Sequence, residues 1–270
     1  MAEGAENAGI VVGMYEPMAA DYEEIWAPLL RAYGLRMLDA LPLGSAHHVL
    51  DLGCGVGSLL PDIRERAPHA FVTGVDLTEG MLRRAPDGCT VAAMDGTRLA
   101  FAERSFDAVI SCFVVFHFPD PKAALAGVHR VLRPGGSLAL AVWGQRWDFP
   151  AADVWGEALD EHGAGPDFAA SGPPDGEEQV NAPAKLANVL DAAGFAEVRT
   201  EALPWERAWD LEGFMRWGEG MGPSRRRLST LPAQTRRSVV SDVRARVGAL
   251  PAGSLVQRYE VVLGFGAVPT

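Results

Sequence analysis

The chain has 270 residues, 48% of them hydrophobic and 22% charged, with a formal net charge of −11. That is enough apolar material to bury one good core with an added lid, while the acidic balance argues against nucleic acid or an anionic membrane as partner, since phosphate binding rests on clustered Lys and Arg. Three scattered cysteines, Cys54, Cys89 and Cys112, offer neither a disulfide framework nor metal-ligand spacing, and no apolar run approaches the roughly 20 residues that span a bilayer. With an acidic start at Met1 to Gly9 in place of a basic leader, a soluble, cytoplasmic protein with a small-molecule partner is expected.

The residues to about Gly9 are small and polar, and are expected to fray. From Tyr15 to Leu41 the apolar positions Tyr22, Ile25, Trp26, Leu29, Leu30, Tyr33, Met37 and Leu41 recur at three and four, the spacing of an amphipathic helix. Pro28 cannot sit deep in a helix, so the stretch reads as a short helix to about Trp26 and a second from about Ala27. After a turn at Pro42-Leu43-Gly44-Ser45, His48 to Leu52 is the first strand, and a helix runs from about Ser58 to Ala67. Between them lies D-x-G-x-G-x-G, Asp51 to Gly57. Lacking Cβ atoms, Gly53 and Gly55 accept positive φ and let a ligand approach the Gly53-Cys54-Gly55 backbone. A dinucleotide loop spaces its glycines G-x-G-x-x-G around a pyrophosphate. The spacing here differs, and Asp51 repels a pyrophosphate while suiting a ligand with an ammonium group and a positive centre.

Phe71 to Asp76 reads as the second strand, its terminal acid placed to accept from both hydroxyls of a ribose. Leu77 and Met81 either flank an adenine or pack the next helix. Thr90 to Met94 is the third strand, followed by the turn dipeptide Asp95-Gly96. Phe106 to Cys112 is the fourth, with Cys112 a buried small residue in preference to a nucleophile. The residues after it, through Phe116 and His117, must face the cleft at the carboxyl edge of the sheet. A helix then opens with Asp120 as cap and Pro121 at its first position, and Arg133-Pro134-Gly135-Gly136 turns the chain into Ser137 to Val142, the fifth strand. From Trp143 to about Val180 an insertion, including Ser171-Gly172-Pro173-Pro174-Asp175-Gly176, holds one helix near Ala151 to Glu161. A helix from Pro183 to Ala193, stopped by Gly194, leads to a strand from Ala196 to Leu203. A second insertion, Trp205 to about Pro251, has helices near Leu211 to Trp217 and Pro232 to Val247, with Arg225-Arg226-Arg227 as a solvated loop or helix start. Leu255 to Gly264 closes the chain as an antiparallel edge strand. The predicted class is α/β: a Rossmann-like, doubly wound, seven-stranded, mostly parallel sheet with an antiparallel last strand, an N-terminal helical cover and inserted lid segments.

The run V-L-D-L-G-C-G-V-G, residues 49–57, resembles the first motif of the class I S-adenosylmethionine-dependent methyltransferases. The succession of elements beyond it, down to the R-P-G-G turn, resembles their ubiquinone- and menaquinone-type small-molecule subgroup, from about Tyr15 to Phe195. The resemblance implies a helical cover (1–45), an S-adenosylmethionine-binding core (46–145 and 183–203, completed by 251–270) and insertions at 146–182 and 204–250, together one globular unit. It implies S-adenosyl-L-methionine as cofactor and S-adenosyl-L-homocysteine as product. Gly53, Cys54 and Gly55 then form the cofactor loop over Asp51, Tyr22 either meets the cofactor carboxylate, with Tyr15 behind it, or simply packs, and Asp76 takes the ribose. Asp95 and the Gly96 amide would read the adenine, between Leu77 and Met81, and the backbone carbonyl of Cys112 would receive the ammonium.

Methyl transfer from a sulfonium is an in-line displacement with an excellent leaving group, so positioning and exclusion of water dominate. A base is needed only for a hydroxyl or acidic carbon acceptor, and His117 is the candidate, ahead of Asp148. The family often carries two adjacent histidines here and this chain has Phe116 first, so either Phe116 or His117 faces the acceptor, and the histidine is either base or structural. Trp143, Trp147, Trp155, Trp205, Trp209, Trp217, Phe214, Met215 and Met221 line a pocket for a flat or apolar acceptor or form the lid's own core. Two competing readings keep the sheet: an NAD(P)-dependent oxidoreductase, which fails at the glycine spacing, Asp51 and Asp95, and a protein that retains the cofactor site without transferring methyl.

Overall fold

The structure, a computed structural model, describes residues 2–165 and 176–270; the Ser171 to Asp175 stretch of the first insertion lies outside the described residues. Two compact units emerge, one of residues 2–144, 176–203 and Val261–Thr270, the other of residues 145–165 and 204–260.

Seven strands, β1 (His48–Leu52), β2 (Phe71–Asp76), β3 (Thr90–Ala93), β4 (Phe106–Cys112), β5 (Leu132–Asp148), β6 (Ala196–Ala208) and β7 (Val256–Ala267), form one sheet in the order 3-2-1-4-5-7-6. β1 is central and pairs in parallel with β2 and β4, Leu50 standing beside Thr73 and Val109. Val49, Leu50, Val109 and Ile110 are completely buried, as strands covered on both faces must be. The chain leaves β1 toward β2 on one side and later fills β4 and β5 on the other, so the crevice of an open α/β sheet falls at the carboxyl ends of β1 and β4.

The last strand is antiparallel but not at the edge. The Gly135 amide donates to the Val268 carbonyl and the Val268 amide to that of Gly136, which sets the end of β7 beside the start of β5, and β6 takes the edge. Burial explains the exchange. Val261, Val262 and Leu263 are fully buried in succession, an interior pattern, whereas along β6 only Trp205 is buried. β5 and β6 also run on past their predicted ends at Val142 and Leu203.

The N-terminus is not frayed. Ala2–Tyr15 is helical, and the chain continues through a 3₁₀ turn at Glu16–Met18, a short helical turn at Ala19–Asp21 and a π-helical turn at Tyr22–Trp26 into the Ala27–Asp39 helix. The wide turn ends where Pro28, with no N–H to donate, enters the first turn of the next helix. The Pro121–Val131 helix is capped as predicted, the Asp120 side chain accepting from the Ala123 amide.

In the second unit the Pro150–Glu161, Leu211–Gly220 and Ala233–Gly248 helices carry Trp155, Phe214, Met215 and Val243, all buried. Of the two readings of the arginine run, loop or helix start, the structure takes the helical one: the run lies in the Gly222–Ser229 helix, and Arg227 bonds the Ala164 carbonyl and Asp160. An unpredicted helix, Gly176–Val180, belongs to the first unit. Among the described residues no helix is long and apolar enough to cross a membrane, and no three His, Cys, Asp or Glu side chains cluster as metal ligands would.

Candidate active site

The carboxyl ends of β1, β2 and β4, roofed by the Ala2–Tyr15 helix, enclose a cavity of about 310 Å³. Its floor is the glycine loop. Gly53, Gly55 and Gly57 stand at φ +71°, +54° and +71°, and a Cβ on Gly53 would come within 2.2 Å of the Val114 side chain. Both the Gly53 and Cys54 amides donate to the Val75 carbonyl, at 2.8 and 2.9 Å. The Gly55 amide donates to Asp76 Oδ2 at 2.9 Å, while Asp76 Oδ1 accepts from the Thr78 amide at 2.8 Å. Asp76 therefore staples the loop to β2. Burial raises its pKa and these amide bonds pull it down.

Across the cavity Asp95 accepts from the Thr97 amide and hydroxyl through Oδ1. Gly96 lies so close to Phe118 and Leu52 that a Cβ there would meet them at 2.8 and 3.0 Å. Of the predicted cofactor residues Tyr22, Gly53, Gly55, Asp76, Leu77, Met81, Asp95 and Gly96 all line this one cavity. Asp51, Cys54 and Cys112 do not. The Asp51 side chain is 2% exposed, with Oδ2 lacking any hydrogen-bond partner. Burial, and secondarily the charge of Asp76, pushes its carboxyl up to about 7. The Cys54 sulfur packs against Gly74, and burial drives both the Cys54 and Cys112 thiols well above their ordinary range, so neither is a nucleophile.

His117 lines the cavity and Phe116 does not. Its Nε2 lies 2.8 Å from the Tyr15 hydroxyl, and its backbone carbonyl accepts from Asn7 Nδ2 at 3.0 Å. The histidine is thus bonded to a neighbouring helix, twice. Burial lowers its pKa to about 4, leaving the ring neutral at pH 7, and burial raises the Tyr15 and Tyr22 phenols.

Asn7, Val11 and Phe118, which no sequence motif marks, also line the cavity. Asn7, Val11 and Tyr15 do recur at four-residue intervals, one helical face, a periodicity masked by the small, polar make-up of the segment. The acceptor-pocket residues go elsewhere. Trp155, Phe214, Met215 and Met221 are 1% exposed or less, Trp209 hydrogen-bonds Gln257, and Trp205 and Trp217 join ring clusters with Tyr259 and with Phe149 and Phe214. Trp143 packs on Phe113 and Trp26, and the Trp147 side chain lies outside the described residues. Asp148 forms an exposed ion pair with Arg258.

Among the described lining residues Asp76, Asp95 and Asp120 bring three carboxylates, with no Lys or Arg. Such a wall suits a cationic ligand and opposes a pyrophosphate.

Residues 50–140 match the methyltransferase domain family. The chain is 36% identical to the malonyl-[acyl-carrier protein] O-methyltransferase of Dechloromonas aromatica over 48% of its own length and 49% of the relative; it spans about half of that protein. Over 76% of this chain and 79% of the relative it is 30% identical to the nocamycin O-methyltransferase of Saccharothrix syringae. The fold is also that of a phosphoethanolamine N-methyltransferase from Haemonchus contortus solved with S-adenosylhomocysteine, with a TM-score of 0.54 at 17% identity over 88% of this chain and 53% of that one. Strand order, glycine loop and sequence similarity together make the chain a member of the methyltransferase family.

Proposed function

We propose that the protein transfers a methyl group from S-adenosyl-L-methionine to a small apolar or aromatic metabolite. The observation that carries this reading is the acid-lined, cation-free cavity on a glycine loop. The residues present fit the cofactor: the orphaned Asp51 oxygen calls for a positive partner, and Gly53 and Gly55, both at positive φ, line the cavity with backbone alone. When bound, S-adenosylmethionine supplies a sulfonium methyl and a neutral thioether leaving group. Asp76 would hold the ribose through the lone pairs its amide bonds leave over, Asp95 and Gly96 the adenine edge between Leu77 and Met81, and Tyr22 the carboxylate end. Of the two similar O-methyltransferases, one is named for malonyl-[acyl-carrier protein] and the other, matched over most of both chains, for nocamycin; the second favours a discrete organic acceptor. The retained carboxylates and missing cations disfavour the nicotinamide reading.

His117 is our candidate for the base. It is neutral, as a base must be at pH 7, but its low proton affinity suits only an acceptor whose own proton is acidic, such as a phenol or enol. Transfer of isotope-labelled methyl into extracts of the source cells tests the whole reading. Label in a small-molecule fraction supports it; binding of the cofactor without any label in small or large products would leave the non-transferring alternative. Substituting His117→Ala should lower the rate constant by about 10²-fold or more while leaving cofactor affinity within a few-fold; an unaltered rate would make the histidine purely structural.

A further inference from the structure

Asp51 is the last residue but one of β1, between the buried Leu50 and Leu52. Its buried Oδ2 has no hydrogen-bond partner. The amides that might have served it are committed elsewhere, Gly53 and Cys54 to the Val75 carbonyl and Gly55 to Asp76. The groups that face it are Asp76 from the end of β2, Cys54 from the loop, Cys112 from β4 and Tyr22 from the N-terminal turns. None of these is a cation. Asp76 is better placed to stay ionised, holding two amide bonds, so the burden of the pair's repulsion falls on Asp51. A buried, unpaired carboxylate either meets a positive charge or takes up a proton.

Resting on the cofactor assigned under the proposed function, we propose that Asp51 is the residue by which this site tells the charged methyl donor from its uncharged product: it ionises against the sulfonium and takes up a proton from solvent once that charge is gone. Methyl transfer breaks the methyl–sulfur bond, the electron pair stays on sulfur, and the ligand loses one positive charge while keeping its ammonium and carboxylate. Asp51 then has less to hold it ionised. The donor gains the attraction between ionised Asp51 and the sulfonium less the cost of displacing the proton, a cost that falls as pH rises and that the product does not meet, and the proton returns to water when fresh donor binds. The position of the Asp51 carboxyl, pushed up to about 7, places this exchange in the neutral range.

Calorimetric titration of the full chain with S-adenosylmethionine and with S-adenosylhomocysteine, at pH 6.0 to 7.0 in two buffers of different ionisation enthalpy, counts the protons exchanged. The ionisation of each free ligand's amine is titrated separately and subtracted from its count. The donor is expected to release more protons than the product, by up to about half a proton near pH 7, and the donor-to-product affinity ratio should climb with pH at less than about tenfold per unit. Asp51→Asn should abolish both differences. Equal proton counts for the two ligands in the unsubstituted protein overturn the proposal while leaving cofactor binding intact, as does a difference that survives in Asp51→Asn. If the variant fails to fold, the two-ligand comparison in the unsubstituted protein still decides. Failure of either ligand to bind overturns the cofactor assignment itself.

Discussion

Asp76 has to do two things with one carboxylate, because it holds the Gly55 and Thr78 amides and, on the proposed function, a ribose as well. Asp76→Ala should therefore weaken S-adenosylmethionine binding by at least ten- to a hundredfold, the loss of charge-assisted hydrogen bonds of about 1.5 to 3 kcal/mol, and calorimetry reads this directly. Unchanged affinity would remove the ribose role. Acids such as Asp76 and Asp95 were legible in the sequence because each follows a short apolar strand, and strand ends converge on one edge. Asn7 was not, since nothing local announces a bond from its side chain to a carbonyl 110 residues away. Asp51 was legible only in part: its acid was plain, but the unpartnered state of its buried Oδ2 is a fact of packing. His117 likewise owes its neutral ring to burial that its own polar letter does not suggest.

At the scale of elements, the strand-to-helix turn around Gly53 and the helices of the second unit are held by close approach. Gly53→Ala would put a Cβ 2.2 Å from Val114 at φ +71°, so the variant should lose at least about 2 kcal/mol of stability in denaturant unfolding together with its ligand affinity. In the second unit a Cβ on Gly218 would meet the Trp155 ring at the same 2.2 Å; Gly218→Ala should lower the unfolding midpoint and shift tryptophan emission, with S-adenosylmethionine affinity changed far less than in Gly53→Ala. Strands and helices with one strong period were readable in place, and the Asp120 cap with them. The position of β7 was not, because the pairing of a strand with partners far along the chain depends on which faces are left uncovered, and chain order alone does not tell the charged β6 from the apolar β7 as the edge. The Gly222–Ser229 helix was only half legible for a different reason: three adjacent arginines look solvated until Asp160 and the Ala164 carbonyl are seen to receive one of them.

For the whole molecule, the buried acids set how stability follows pH. A carboxyl whose folded pKa lies above its unfolded value binds the proton more tightly when folded, so Asp51 favours the fold at low pH and loses that contribution as pH rises from about 4 to about 7. His117, depressed to about 4, acts oppositely, its contribution being lost as pH falls from about 6.5 through 4. The two offset each other below about pH 6.5, so the ligand-free protein should melt at lower temperature at pH 8 than at pH 6.5, and Asp51→Asn should flatten that decline; a melting temperature that rises across this interval would contradict the assignment. The aromatic residues of the insertions belong to this scale too. Their abundance was visible in the composition, but whether they fill a core or line a pocket is decided by three-dimensional neighbours, and Trp155 and Phe214 went to the core. The roof of the cavity has a history as well as a place. Ala2–Tyr15 is made ahead of what it covers, and its two hydrogen bonds to His117 reach 110 and 102 residues downstream, so during synthesis this segment must wait through four strands before it has anything to roof.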